Sequence, residues 1–146
     1  MESLKGPFLG IDFGDRHVGV AKSDALGLLA HGVETICRKR PSKLRSTLSR
    51  IEELCALEGI GGIVLGLPLL EDGTEGLRCE KTREFGQRLE VRLHLPVVYW
   101  DERLTTIEAY EYMKNAGVSA AQREKMVDEI SAVVILQDFL DNQWNR

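Results

Sequence analysis

The sequence lacks the features that mark several classes of protein. Only three of its 146 residues are cysteines, Cys37, Cys55 and Cys79, with neither the pairing of a disulfide framework nor the CxxC spacing of a zinc site. No apolar run approaches the roughly 20 residues that cross a bilayer, and residues 1–10 lack the apolar core of a signal peptide. We therefore expect a cytoplasmic protein with reduced thiols and no membrane partner.

The chain also lacks a net positive charge. Its formal charge is -4, which excludes a protein that coats nucleic acid through overall charge alone. Cations nevertheless follow one another from Arg38 to Arg50 before any acid interrupts them; this run is either the solvated face of a helix or a set of phosphate contacts. With four prolines and no segment of restricted composition, residues 1–146 are expected to form a single domain.

Strand and helix patterns alternate along the chain. Two β-prone runs joined by a short polar link predict a hairpin, which a third strand extends. Two further apolar runs suit strands that are covered on both faces. The predicted strands cover 8–13, 18–21, 33–37, 63–65 and 97–100. Two helices are predicted over about 41–59 and 74–93. A third is predicted to begin at a capping box of Thr105 and Glu108, and the last at a capping box of Ser119 and Gln122, from which it runs to about Leu140. This order predicts an α/β fold whose ligands lie beyond the carboxyl ends of the strands.

Carboxylates interrupt the apolar pattern at three places. Asp12 lies inside the first apolar strand, where a charge costs several kcal/mol unless it is paired or bound to metal; the alternative is a carboxylate that caps the turn at Gly14. The pair Asp101 and Glu102 follows the last strand. Asp128 shares the apolar face of the last helix, so it is predicted to point inward. Its alternative roles are to pair with a buried arginine such as Arg103, or to lie in the first turn of a helix that begins late, where the helix dipole favours an acid.

If these acids converge, they form a site that only cations neutralise. Hard oxygen ligands of this kind select Mg²⁺ or Mn²⁺ over zinc. Two such ions about 4 Å apart suit phosphodiester hydrolysis, and Arg103 would then either hold a phosphate or screen the acidic cluster. In that case Asp12, Asp101, Glu102 and Asp128 would be the metal ligands.

Four motifs in order resemble one family across nearly the whole chain. They are residues 10–14 with 18–21, residues 66–68 with 72–73 and 76, residues 100–106 with 109, and residues 127–128 leading to 132 and 135–137. The chain resembles the YqgF or RuvX-like proteins, which are described as Holliday junction resolvases and as pre-rRNA nucleases. Where relatives often carry Lys-Arg after the first glycine motif, this chain has Arg16-His17.

The resemblance implies an RNase H-like fold, with a five-stranded mixed sheet of order 3-2-1-4-5, an antiparallel second strand and flanking helices. It also implies catalytic roles for Asp12 and Asp128. Many relatives carry the middle acid at the end of the fourth strand, where this chain has Gly66-Leu67-Pro68, so that role is assigned jointly to Asp101 and Glu102. The expected contacts to nucleic acid are made by Arg16, Arg38, Lys39, Arg40 and Arg103.

Three functions compete with the first expectation, a nuclease that processes the 5′ end of precursor 16S ribosomal RNA. A resolvase of branched DNA uses the same chemistry but usually needs a dimer, and we expect a monomer or weak homodimer. A non-catalytic RNA-binding or transcription-associated module would use only the arginines. A sugar-kinase or actin-like ATPase shares the Gly-Ile-Asp-Phe-Gly pattern but needs a second lobe, which this length does not provide.

Overall fold

A computed structural model describes residues 4–40, 42–102, 111 and 113–145. Its strands are β1 (Phe8–Phe13), β2 (His17–Ser23), β3 (Ala30–Cys37), β4 (Gly62–Leu67) and β5 (Val97–Asp101). Its helices are α1 (Leu44–Glu58), α2 (Leu77–Leu93) and α3 (Ala120–Phe139), followed by a π-helical turn, Leu140–Trp144. The start of the helix predicted at Thr105 lies outside the described residues, whereas residues 111 and 113–115 are helical.

The five strands form one mixed sheet in the order β3-β2-β1-β4-β5. β2 is antiparallel to both of its neighbours, whereas β1, β4 and β5 are parallel to one another. The predicted strand order and the antiparallel second strand are therefore confirmed. The carboxyl ends of β1, β4 and β5 consequently meet at one edge of the sheet, which we call the carboxyl edge.

Each face of the sheet has its own apolar core because side chains alternate along a strand. On the face covered by α1 and α2, Phe13 stacks on Phe85 with ring centroids 4.0 Å apart. On the face covered by α3, Phe8 meets Phe139 edge to face at 5.3 Å. The same alternation decides to which face each charged side chain of β1 and β5 points.

The helix boundaries follow local chemistry, with small differences from the predicted ones. α1 ends where Gly59 adopts a left-handed φ of 62°, a conformation that glycine accepts without strain. α3 begins at the predicted capping box, in which the Ser119 hydroxyl accepts from the backbone of Gln122. α2 begins at Leu77 rather than Thr74, because Asp72 accepts hydrogen bonds from the backbone and hydroxyl of Thr74 and keeps that segment in a turn.

Candidate active site

Asp12 and Glu102 meet at the carboxyl edge of the sheet. Asp12 is the fifth residue of β1 and is half-buried on the face covered by α3. Glu102 directly follows β5, and its backbone N–H donates to the carbonyl of Leu67 at 3.2 Å, which ties it to the end of β4. The two carboxyl groups are hydrogen-bonded to each other.

Gly66 makes the room that Glu102 occupies. A Cβ at Gly66 would lie 2.8 Å from Oε2 of Glu102 and 2.6 Å from Cδ1 of Ile135. The space above the end of β4 is therefore filled by the acid that follows β5. A side chain on β4 at this position would have to displace Glu102.

Burial and mutual repulsion alter the ionisation of this pair. Burial, followed by the charge of Asp12 and the hydrogen bond between the two groups, raises the pKa of Glu102 to about 9. The pKa of Asp12 is also raised, chiefly by burial, with the charge of Asp128 adding to the effect. At neutral pH the two carboxyl groups therefore share a proton, which Glu102 holds and donates to Asp12.

Asp128 reaches the same face from α3. Its carboxylate is close enough to raise the pKa of Asp12. The other neighbour is His17, the first residue of β2, whose Nδ1 lies 3.9 Å from Oδ2 of Asp128. The Asp128 side chain is 31% exposed, so it borders solvent while Asp12 and Glu102 lie deeper.

Two glycines let α3 lie directly on the sheet. A Cβ at Gly19 would fall 1.7 Å from the backbone oxygen of Asp128, and one at Gly10 would fall 2.7 Å from Cβ of Leu136. No side chain fits in either gap. The close approach of backbone to backbone at Gly19 is what brings Asp128 down to the level of Asp12.

The structure separates Asp101 from Glu102, although they are consecutive. Val98 and Trp100 pack on the α3 face and Tyr99 on the opposite face, so the alternation of β5 directs Asp101 away from α3. The Asp101 side chain is exposed, and its charge contributes to the raised pKa of Glu102. Of the two expected acids, the structure thus brings Glu102 to Asp12 and leaves Asp101 at the rim.

The chain matches the sequence model of a family described as "RuvX: Holliday junction resolvase" over residues 6–142. It belongs to this family. A protein of Agathobacter rectalis named "Putative pre-16S rRNA nuclease" is 54% identical over 133 residues, which are 91% of this chain and 93% of the relative. A protein of the same name from Clostridium tetani is 44% identical over 138 residues, which are 94% of this chain and 98% of the relative.

The fold of the RuvX chain is similar to that of a protein of known structure, RuvC. Thermus thermophilus RuvC, solved in complex with a Holliday junction substrate, aligns with a TM-score of 0.55 over 93% of this chain and 95% of that chain. The sequence identity is 12%, so this likeness shows the fold alone. The predicted family and the predicted RNase H-like fold are both confirmed.

Arg78 joins the site of this RuvX protein, and sequence reasoning did not find it. It is exposed in the first turn of α2, and its positive charge lowers the pKa values of both Asp12 and Glu102. A signal was present: the macrodipole disfavours a cation at a helix amino terminus, and α2 has no side-chain cap there. An arginine in that unfavourable position is the sign by which the sequence could have pointed to an anionic neighbour.

The predicted contacts to nucleic acid divide into three groups. Arg38 is a correction: it is only 6% exposed, its Nη2 donates to the carbonyls of Gly14 and Asp15, and its guanidinium lies 5.1 Å from the ring centre of Phe13. The Arg38 guanidinium therefore stabilises the β1–β2 loop through these hydrogen bonds and does not face a phosphate. Three other cations are exposed near the carboxyl edge: Arg16, Lys39 and Arg40. Arg103 lies outside the described residues.

The acids of this site are candidates for holding a divalent metal ion. Within residues 4–40, 42–102, 111 and 113–145, no three Asp, Glu, His or Cys side chains lie close enough to form a metal cage. The hydrogen-bonded pair of Asp12 and Glu102 nevertheless supplies hard oxygen donors that hold only one negative charge between them without a cation. The pair fits a hard divalent cation, with Asp128 alongside.

Proposed function

We propose that this RuvX protein is a metal-dependent nuclease that trims the 5′ end of precursor 16S ribosomal RNA. One observation carries the proposal: Asp12 and Glu102, far apart in sequence, are hydrogen-bonded at the carboxyl edge with Asp128 and Arg78 beside them. Burial and mutual repulsion raise the pKa values of Asp12 and Glu102, and acids with such raised pKa values cluster at functional sites. An RNA-processing role places the protein in the cytoplasm and requires no self-complementary dimer.

The chain's own residues divide the work of hydrolysis. Asp12 and Glu102 would hold Mg²⁺ or Mn²⁺, two ions by our sequence-based expectation, and the bound metal supplies a polarised water and neutralises the scissile phosphate. Glu102 would release its shared proton to solvent when a cation binds. Asp128, at the solvent-exposed side of the site, would accept a proton from the attacking water, Arg78 would hold a non-bridging phosphate oxygen, and the departing ribose oxygen would take a proton from solvent as the phosphorus–oxygen bond breaks.

A cleavage assay tests the proposal directly. Precursor 16S RNA, a four-way DNA junction and linear controls are incubated with magnesium, manganese or chelator. Asp12→Asn and Glu102→Gln are expected to lower the RNA cleavage rate at least about a thousandfold. Asp101→Asn, which alters the neighbouring acid at the rim, should retain most of the activity, as should Asp141→Asn at the far end of the sheet.

Three outcomes would contradict the proposal. Cutting that survives chelation or Asp12→Asn comes from another site or from a contaminant. Cleavage of the junction in preference to the RNA would favour the second candidate, a resolvase, which the description of the family model supports. RNA binding without any cleavage would indicate a non-catalytic binding module.

A further inference from the structure

A basic groove runs along the face of the sheet opposite Asp128, between α1 and α2. It has a volume of about 550 Å³ and is lined from α1 by Arg45 and Leu48. From α2 it is lined by Arg88, Val91 and Arg92, together with Glu84 and Gln87. Three arginines thus face a single glutamate.

Two of these arginines have no acidic partner within the part of the chain that the structure describes. Arg92 is engaged, because its Nη2 donates to Oγ of Ser49 at 2.9 Å and it pairs with Glu52. Arg45 and Arg88 are exposed and form no ion pair with any described residue. Unpaired guanidinium groups on both walls of one groove favour an anionic ligand that extends along it.

The groove connects to the proposed active site through α2. β3 and β4 both end at the carboxyl edge, so α1 and α2 both begin there and run away from it. Arg78 stands beside the carboxyl pair, and Arg88 follows ten residues later, about 15 Å further along the helix. A strand of nucleic acid whose phosphate lies at Arg78 can therefore continue over the edge and down the groove.

The dimensions of the groove favour a single strand over a duplex. Its volume of about 550 Å³ is that of a small-ligand cleft, which takes a short stretch of one strand, whereas a duplex would touch only the rims. Leu48 and Val91, which is 76% exposed, give the groove an apolar component but no aromatic platform. Binding would accordingly depend on phosphates and tolerate any sequence.

We propose that the groove between Arg45 and Arg88 binds the single-stranded RNA that flanks the cleavage site. The identity of the ligand as RNA rests on the proposed nuclease function. The proposal that the groove binds an anionic ligand does not rest on that function, because the groove lies outside the carboxyl site and is tested by binding alone. An acidic polypeptide is the competing ligand, and the test below distinguishes it.

The experiment measures binding of a fluorescein-labelled 12-nucleotide RNA strand to the full chain, in chelator, over a range of salt concentrations. The double variant Arg45→Gln with Arg88→Gln should bind more weakly. The slope of log K against log salt should fall in magnitude by about 1.4, because each phosphate contact to a single strand contributes about 0.7. The matched control, Arg83→Gln with Lys22→Gln, removes the same net charge from residues held by Glu75 and Glu58 and should leave the slope unchanged.

Equal slopes for the two double variants would overturn the inference, as would tighter binding of an RNA duplex than of the strand. Displacement of the strand by polyglutamate at equal charge concentration would assign the groove to acidic protein instead. Thermal melting confirms that each variant is folded. Because no turnover is needed, an inactive enzyme would refute the proposed function without affecting this result. An active enzyme with an unchanged slope would refute the groove alone.

Discussion

Glu102→Gln is expected to stabilise the metal-free protein at neutral pH. The pKa of Glu102 is raised from 4.5 to about 9 in the folded state, mainly by burial and by the charge of Asp12. At pH 7 the folded protein therefore keeps a proton that the unfolded chain releases. Glutamine carries no such proton in either state, and its amide donates to Asp12 as the protonated acid does.

The magnitude follows from proton linkage. A raised folded-state pKa stabilises the protein fully below pH 4.5, and this contribution is lost as the pH rises towards 9. Each pH unit in that window costs about 1.4 kcal/mol, so pH 7, which is 2.5 units above 4.5, corresponds to about 3 kcal/mol. The variant does not undergo this loss, so its free energy of unfolding should exceed that of the wild type by up to about 3 kcal/mol at pH 7.

Urea unfolding in chelator at pH 5, 6, 7 and 8 measures the effect. The difference in unfolding free energy between variant and wild type should grow by about 1.4 kcal/mol per pH unit. Glu84→Gln, at an exposed position on α2, serves as the control for removing one negative charge. A constant difference across the series, or a variant that is less stable than the wild type at pH 7, would show that the two carboxyl groups do not share a proton.

Other predictions concern the elements around the site. Magnesium should raise the melting temperature of the wild type but not of the Glu102→Gln variant, because only the former retains both carboxylate ligands. Gly19→Ala should lower the free energy of unfolding by more than about 3 kcal/mol and abolish cleavage, because the added methyl group pushes α3 off the sheet. Gly59→Ala should lower it by only about 1 kcal/mol. Urea unfolding measures both, and equal losses would contradict the close approach of α3 to Gly19. Arg78→Ala should lower the magnitude of the salt slope of RNA binding by about 0.7. Arg38→Ala should leave that slope unchanged yet cost about 1–3 kcal/mol, because the carbonyls of Gly14 and Asp15 lose their donor and the contact with Phe13 is lost; a stable variant with a reduced slope would return Arg38 to the phosphate contacts.

Patterns that depend on near neighbours in the sequence were predicted with small errors. The hairpin, the buried parallel strands and the capping box at Ser119 all follow from residues within a few positions of one another. Strand order and the antiparallel second strand came from the family resemblance, which the sheet confirms. Asp12 stood out because a charge within an apolar strand needs compensation wherever that strand lies.

Other features depended on contacts between distant segments. Nothing in the local sequence distinguishes Asp101 from Glu102; the pairing of Leu67 with Asp101 sets the register of β5, and the space above Gly66 admits Glu102. The cation run from Arg38 likewise gives no sign that its first member folds inward onto Phe13.

The sequence by itself determined which segments form strands and helices and which acids are out of place, because propensity and periodicity act over one or two turns of chain. Only the tertiary structure decided which of those acids meet, and that Arg78 lies beside them. The pKa of about 9 for Glu102 results from burial and from a neighbour ninety residues away in the sequence. Both effects exist only in the folded protein, because only the assembled sheet brings the two carboxyl groups together.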